Sequence, residues 1–317
     1  MTASTVLVTD FAWPDLDIER DVLEGAGLRL VAGPASPAPA DTIAALVREH
    51  QPSSILTCWA QVNAQAVNAS SRLQHVGRIG VGLDNIDVAA CTARGLPVTN
   101  VPDYCVEEVS DHAVGFALAW TRGLVAFDRD VHAGRWDPAK ARLRRLSALT
   151  VGLVGYGRIG QASARKFAAF GCRVLANTLT PPARSTGVEF TELDTLLTQS
   201  DIVVLHLPLT PESHHLINRS RINAMKPGAL LVNVSRGGIV DTDAVVEALA
   251  SGHLGGAALD VIESEPQVPA ALLAQPGALL TPHVAFSSDA SLAELRRRAA
   301  EETVRVLSGR APLNRCN

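Results

Sequence analysis

The chain has no surplus of positive charge: 28 Lys plus Arg stand against 32 Asp plus Glu, a formal net charge of -4. That balance excludes a basic footprint for nucleic acid, and the cluster Arg142, Arg144 and Arg145 reads as a solvated face. Also missing is any stretch near the ~18 uninterrupted apolar residues of a membrane span. The most apolar helical pattern, Ala113 to Ala119, is bounded by Asp111, His112 and Arg122. Met1-Thr2-Ala3-Ser4-Thr5 before Val6-Leu7-Val8 lacks a basic n-region and a long apolar h-region, so it reads as a first strand and not as a signal peptide. Cys58, Cys91, Cys105, Cys172 and Cys316 are odd in number and show no CxxC spacing, which fits reduced thiols better than disulfides or zinc. These absences lead us to expect a cytoplasmic protein with neither a nucleic-acid nor a membrane partner.

A hydrophobic fraction of 47% and a charged fraction of 19% describe a globular chain with ample core. At the usual size of ~150 residues per domain, its length suggests about two domains. The apolar run Thr150 to Val154 reads as a buried strand. It continues as Gly155-Tyr156-Gly157-Arg158-Ile159-Gly160 into a helical pattern from Gln161 to Phe170, with a second strand at Arg173 to Ala176. Strand before and helix after give the GxGxxG spacing its meaning. Gly155 permits the tight turn, Gly157 lets backbone approach a pyrophosphate at the helix N-terminus, and Gly160 allows close packing of helix on strand.

Two strand-and-helix series follow from the pattern. The first runs through Val6–Thr9, Leu16–Glu24, Leu28–Val31, a helix from Asp41 and Ser54–Thr57, and ends near Thr99. The second begins at Thr150 and continues through Ile202–Val204, Ala229–Val232 and Ala257–Leu259. Continuous apolar runs, in place of alternation, suit parallel sheets covered by helices on both faces. The expected fold is therefore α/β with two doubly wound parallel-sheet domains and an active-site cleft between them. One is a Rossmann nucleotide-binding domain over 101–287; the other is a flavodoxin-like substrate domain over 1–100 and 288–317, to which the amphipathic stretch Ser288 to Leu307 returns. A long helix from Val106 to Val125, apolar around most of its circumference, should be buried between domains or subunits.

After the nucleotide loop come an arginine, a glutamate and a histidine, each in a turn marked by Gly or Pro. That order suggests a hydride-transfer enzyme, which besides the hydride needs a cation to hold its substrate and a proton donor. Arg236 follows a buried strand, where α/β ligands bind, and its planar guanidinium suits the first role. His283, after Pro282, suits the second, because imidazole can give and take a proton near neutral pH. By itself an isolated histidine is more often structural, and a glutamate in an acidic loop is more often only solvated.

Several long motifs in one order resemble the D-isomer-specific 2-hydroxyacid dehydrogenase family. They are Arg78-Ile79-Gly80-Val81-Gly82-Leu83-Asp84-Asn85-Ile86-Asp87, Asn100-Val101-Pro102, the nucleotide loop, His206-Leu207-Pro208-Leu209-Thr210, Met225-Lys226-Pro227-Gly228, Asn233 to Gly238, Ala258-Leu259-Asp260-Val261, Glu265-Pro266 and Thr281-Pro282-His283. Within the family, the segments around Glu263 to Pro266 and His283 to Ser291 look most like the phosphoglycerate-dehydrogenase and C-terminal-binding-protein branches. The resemblance implies Arg236, Glu265 and His283 as the catalytic set. It selects Glu265, which directly precedes Pro266, over Glu263 as the partner that would fix the imidazole tautomer and raise its pKa. A glutamate there also argues against the related formate dehydrogenases, which pair the histidine with glutamine. By the same resemblance, Arg78 and the backbone N–H groups of Gly80, Val81 and Gly82 would hold the substrate carboxylate, and Phe286 would wall its tail. Tyr104 and Cys105 could also face the cleft. Leu207, Pro208, Val234, Ser235 and Asp260 would line the cofactor path, beside Tyr156, Arg158, Ile159 and the loop glycines, with Asp260 near the nicotinamide and His283 touching both ligands. The expected cofactor is NAD(H) or NADP(H), and the expected assembly is a homodimer.

One departure bears on the choice of cofactor. NAD-preferring members end the second nucleotide-domain strand in an acidic residue that binds the ribose hydroxyls. Here that place falls to Thr178, which would not repel a 2'-phosphate; Thr180 and Arg184 follow. NADP(H) acceptance is the expectation. Two other readings share the motifs: a dinucleotide-sensing scaffold resembling the C-terminal-binding proteins, and a reductase for a specialised keto acid or phosphonate.

Overall fold

The computed structural model describes residues 4–11, 13–182 and 187–317. Its contacts divide the chain into two compact units, one running to Tyr104 and resuming over Ser288–Asn317, the other spanning Cys105–Ser287.

In the first unit, β1 (Thr5–Val8), β2 (Arg29–Ala32), β3 (Ser54–Thr57), β4 (His75–Arg78) and β5 (Val98–Thr99) form a parallel sheet in the order β2-β1-β3-β4-β5. This is the flavodoxin-like order, whose ligand-binding end lies where the strand order reverses, past β1 and β3. Leu7, Ile55 and Val76 from successive strands are fully buried and pack against Ile43, Val47 and Val67 of the covering helices. The helix Asp289–Leu307 belongs to this unit. Arg296 ties it down by bonding the buried Glu19 carboxylate (2.8 Å) and Asp15 (2.7 Å), while its guanidinium lies over the Trp13 ring. Ser288 starts that helix with a reciprocal cap to Ser291, which satisfies first-turn N–H groups.

The second unit carries β6 (Thr150–Val154), β7 (Arg173–Asn177), β8 (Glu189–Phe190), β9 (Ile202–Leu205), β10 (Ala229–Asn233), β11 (Leu254–Leu259) and β12 (Ala278–Leu280), ordered β12-β11-β10-β9-β6-β7-β8 and parallel throughout. This is the dinucleotide-binding order with one further strand, and its switch point lies between β6 and β9. β11 starts three residues before the apolar run Ala257–Leu259, at Leu254. Gly255 and Gly256 conceal that start in the sequence. They are glycine because Trp120 packs on them: its indole N–H donates to the Gly255 carbonyl (3.0 Å), and a Cβ on Gly256 would lie 2.6 Å from that nitrogen.

The long helical pattern is broken where one helix was expected. A helix covers Val106–Thr121, Gly123 turns the chain at φ 61°, and a second helix covers Leu124–His132. The first buries Val109, Ala113, Val114, Phe116 and Ala117 and packs on the helix Arg158–Ala169 and on β10. The second buries no residue. No helix among the described residues is long and apolar enough to cross a membrane.

Candidate active site

The nucleotide loop lies at the switch point of the second sheet. Gly155 has φ 100°, and a Cβ there would fall 2.0 Å from the His206 carbonyl oxygen beyond β9. A Cβ on Gly160 would lie 2.3 Å from the Gly155 carbonyl, while Gly157 faces open space. Gly157 caps the helix Arg158–Ala169 without a side-chain cap bond, so the helix N-terminus presents its backbone N–H groups and positive dipole end. Gly157 and Arg158 are exposed, Ile159 is half-buried, and the Tyr156 ring meets Phe190 edge-on at 5.1 Å. This cradle fits a dinucleotide pyrophosphate.

The far wall of the loop is pinned. Burial pushes the His206 imidazole down to about 3, so it is neutral and bonds Ser163 at 2.8 Å. Ser235 Oγ donates to the Leu205 carbonyl (2.6 Å) and accepts from the Leu207 N–H (3.3 Å), locking the exits of β9 and β10 together. Pro208 accepts from Ser213 at 2.7 Å, and Val234 is buried. Thr178 follows β7 directly and is half-buried. Arg184 lies outside the described residues.

Arg236, Glu265 and His283 leave the C-terminal ends of β10, β11 and β12 respectively, the ligand-binding edge of such a sheet. Arg236 is half-buried in extended backbone; its Nη1 donates to the Ser235 carbonyl at 2.8 Å, and Asn233 Nδ2 donates to its own carbonyl at 2.9 Å. The next residue, Gly237, presses on the chain ahead of Glu265, since a Cβ there would lie 2.0 Å from the Ile262 carbonyl carbon. Glu265 Oε1 accepts from the Ile262 N–H (3.1 Å), and Oε2 sits 2.8 Å from His283 Nδ1. Burial raises the Glu265 carboxyl, but His283, the Ile262 N–H and the Arg236 charge outweigh it and hold the group below the ordinary carboxylate range. An ionised carboxylate only accepts, so the proton between them is on Nδ1, and Nε2 points its chemistry away from Glu265. The structure separates the two glutamates that the sequence placed side by side: Glu263 bonds His215.

His283 has φ 53°, a conformation rare for a residue with a Cβ. What holds it there is Asp260, only 3% exposed. Its carboxylate accepts from Thr281 Oγ1 (2.6 Å) and from the N–H groups of Val284 and Ala285 (both 2.9 Å), while the Asp260 carbonyl accepts from the His283 N–H at 2.8 Å. Thr281 Oγ1 is also 3.0 Å from His112 Nε2. Burial lowers the His112 pKa, and the Asp260 charge offsets this in part. His112 was missed by reasoning on the sequence, since a histidine inside a helix carries no signal of its own, and Thr281, though part of the Thr281-Pro282-His283 motif, was given no role. The Phe286 ring meets His283 edge-on at 6.1 Å.

In the first unit Arg78 is buried at 8% exposure beneath its own loop. Its Nη1 donates to the Ile79 carbonyl and reaches the Thr57 carbonyl at 3.5 Å. Gly80 has φ 154°, and a Cβ there would lie 2.6 Å from the Arg78 guanidinium. The Gly80 and Val81 carbonyls are taken by the Val101 N–H (3.0 Å) and the Asn100 amide (2.7 Å). Val81 is exposed and Gly82 half-buried, whereas Tyr104 and Cys105 are buried.

The chain is similar to known proteins over most of its length. The family profile of the "D-isomer specific 2-hydroxyacid dehydrogenase, NAD binding domain" matches residues 114–285. Glyoxylate reductase of Thermofilum pendens is 37% identical over 84% of this chain and 82% of that protein. Hydroxypyruvate reductase of Thermotoga maritima is 37% identical over 77% of this chain and 79% of that protein. The solved structure of D-lactate dehydrogenase from Aquifex aeolicus, complexed with NAD and lactic acid, superposes with a TM-score of 0.85 at 27% identity, covering 96% of both chains.

Proposed function

The chain belongs to the D-isomer-specific 2-hydroxyacid dehydrogenase family, and from that premise we propose how its own residues carry the reaction. It is an NAD(P)-dependent oxidoreductase acting on 2-keto acids and D-2-hydroxy acids. The observation that carries the residue assignment is the 2.8 Å bond between His283 and an ionised Glu265, on the same sheet edge as Arg236. The Arg236 guanidinium binds the substrate carboxylate and polarises the carbonyl to be reduced. His283 gives a proton from Nε2 to the developing alkoxide, and in the reverse direction takes it from the hydroxyl. Glu265 keeps Nδ1 protonated and stabilises the charged ring. Asp260 holds the His283 turn. The nicotinamide cofactor, when bound, supplies or accepts the hydride at the substrate C2 carbon. In the first unit, the Val81 and Gly82 N–H groups and the buried Arg78 beneath their loop make a setting suited to an anion.

The names of the relatives favour small substrates of the glyoxylate and hydroxypyruvate kind. Phe286 supplies one apolar wall. Relatives named as reductases and dehydrogenases lend the scaffold reading no support. Thr178, without a carboxylate, leads us to propose that NADP(H) is accepted alongside NAD(H). For the homodimer, the carrying surface is not the buried helix Val106–Thr121 but the segment after it. There Leu124 (57% exposed), Val131 (50%) and Trp136 (83%) leave large apolar side chains exposed, which a second copy would cover. Cysteines outside any disulfide suit the cytoplasm, and the acidic net charge suits a protein without nucleic-acid partners. The test of this reading is cofactor oxidation by 2-keto acids beside a His283→Ala variant.

A further inference from the structure

Apart from His283, the second unit brings together three groups that the reaction does not use. His214 and His215, in the loop after β9, stack their rings at 4.1 Å and 22°. His215 Nε2 lies 2.5 Å from Glu263 Oε1. One potential ligand atom from each of His214, His215 and Glu263 lies within 4.8 Å of the other two. The carboxylate is anchored from behind, because Glu263 Oε2 accepts from the Thr242 N–H at 2.8 Å. His215 is held at φ 48° while its N–H donates to the Gly238 carbonyl at 2.8 Å. A β-carbon residue held in that region is strained, and such strain clusters at functional sites.

We propose that His214, His215 and Glu263 bind a divalent first-row transition ion of the Zn2+ class, with water completing the shell. Two imidazole nitrogens and one carboxylate oxygen suit this class, whereas Mg2+ and Ca2+ require oxygen ligands throughout. Bond lengths of about 2.0–2.2 Å to zinc place tetrahedral ligands about 3.3 Å apart. The candidate atoms all lie within 4.8 Å of one another; the exposed His214 ring closes in by rotating about its own side-chain bonds, while His215 Nε2 and Glu263 Oε1, now 2.5 Å apart, open to admit the ion. On binding, the ion takes the place of the His215–Glu263 hydrogen bond. The site is separate from the catalytic pair, since Glu263 turns to His215 while Glu265 turns to His283.

The experiment is calorimetric titration of the tag-free, chelator-stripped full chain with ZnCl2, with MgCl2 in parallel and Co2+ absorption as a spectroscopic readout. The expected result is one zinc per chain with a Kd on the order of 10 μM or tighter, no magnesium binding, and a visible band for low-coordinate Co2+. His214→Gln and Glu263→Gln should each weaken zinc by about tenfold or more, while His283→Ala binds it as the parent does. His214→Gln alters only an exposed ring, so its metal-free circular dichroism should match the parent and the comparison stands even if Glu263→Gln is misfolded. Failure to bind zinc below about 100 μM would overturn the proposal. So would unchanged binding in His214→Gln, or loss of binding confined to His283→Ala.

Discussion

Glu265→Gln is the substitution that separates the two jobs of this side chain. The amide oxygen can still accept from the Ile262 N–H, now bonded at 3.1 Å, so the loop keeps its anchor. Facing His283 Nδ1, however, an acceptor-only carboxylate is replaced by an NH2 donor at the 2.8 Å contact. The imidazole must then present a bare Nδ1, which leaves its proton on Nε2 but removes the negative charge that stabilises the doubly protonated ring. A hydrogen bond to a charged group contributes about 1.5–3 kcal/mol. At about 1.4 kcal/mol per tenfold in rate, this corresponds to a fall in kcat of about 10- to 100-fold. Steady-state rates at saturating NAD(P)H, with the keto acid varied, measure it directly. Cofactor affinity, read by fluorescence titration, should change less than about twofold, because the nucleotide loop is untouched. A variant whose kcat stays within twofold of the parent would refute the role given to the Glu265 carboxylate.

Three further outcomes follow from other parts of the molecule. Thr178→Asp should move the NADP(H)/NAD(H) ratio of kcat/KM toward NAD(H) by about tenfold, through repulsion of the 2'-phosphate; an unchanged ratio would show that Thr178 does not face the ribose. Burial depresses His75 and His206 to about 3. The unfolded chain therefore takes up protons first, and stability is full above about pH 6.5 and falls as pH drops below it. Each histidine should cost its unit about 1.4 kcal/mol between pH 7.5 and 5.5 in urea unfolding, and His75→Gln should flatten that slope for the first unit; an equal slope in parent and variant would contradict this. Light scattering at micromolar concentration should give twice the 33.4 kDa chain mass, and Trp136→Glu should yield monomer. A monomeric parent would remove the dimer.

Legibility from sequence tracked how local the signal was. β3 and β6 lie where their apolar runs put them, since a strand buried on both faces writes itself as consecutive Val, Ile and Leu. The nucleotide loop was equally plain, because its glycines are demanded by contacts with a neighbouring carbonyl and a helix dipole. β11 was half hidden, because Gly255 and Gly256 answer to Trp120, more than a hundred residues away. The helix break at Gly123 was missed for a related reason. The apolar periodicity runs straight across it, and only the left-handed turn divides a segment with a buried face from one that buries no residue. At the site, residues with distinctive chemistry in marked turns could be singled out. The positioning roles could not: Asp260 was expected beside the nicotinamide, whereas its carboxylate spends its oxygens on the turn that carries His283, and its neighbours Thr281 and His112 are joined to it only by the fold.

The central claim is hydride transfer to a 2-keto acid with His283 as the proton donor, and the most direct measurement is NADH and NADPH oxidation with glyoxylate, hydroxypyruvate, phenylpyruvate, 4-methylthio-2-oxobutyrate and 3-phosphohydroxypyruvate, beside His283→Ala. The account predicts turnover with at least one of the small keto acids and a loss of about a thousandfold or more in the variant, with cofactor binding retained. Turnover that survives intact in His283→Ala would contradict it, as would tight cofactor binding with no oxidation by any of the five acids.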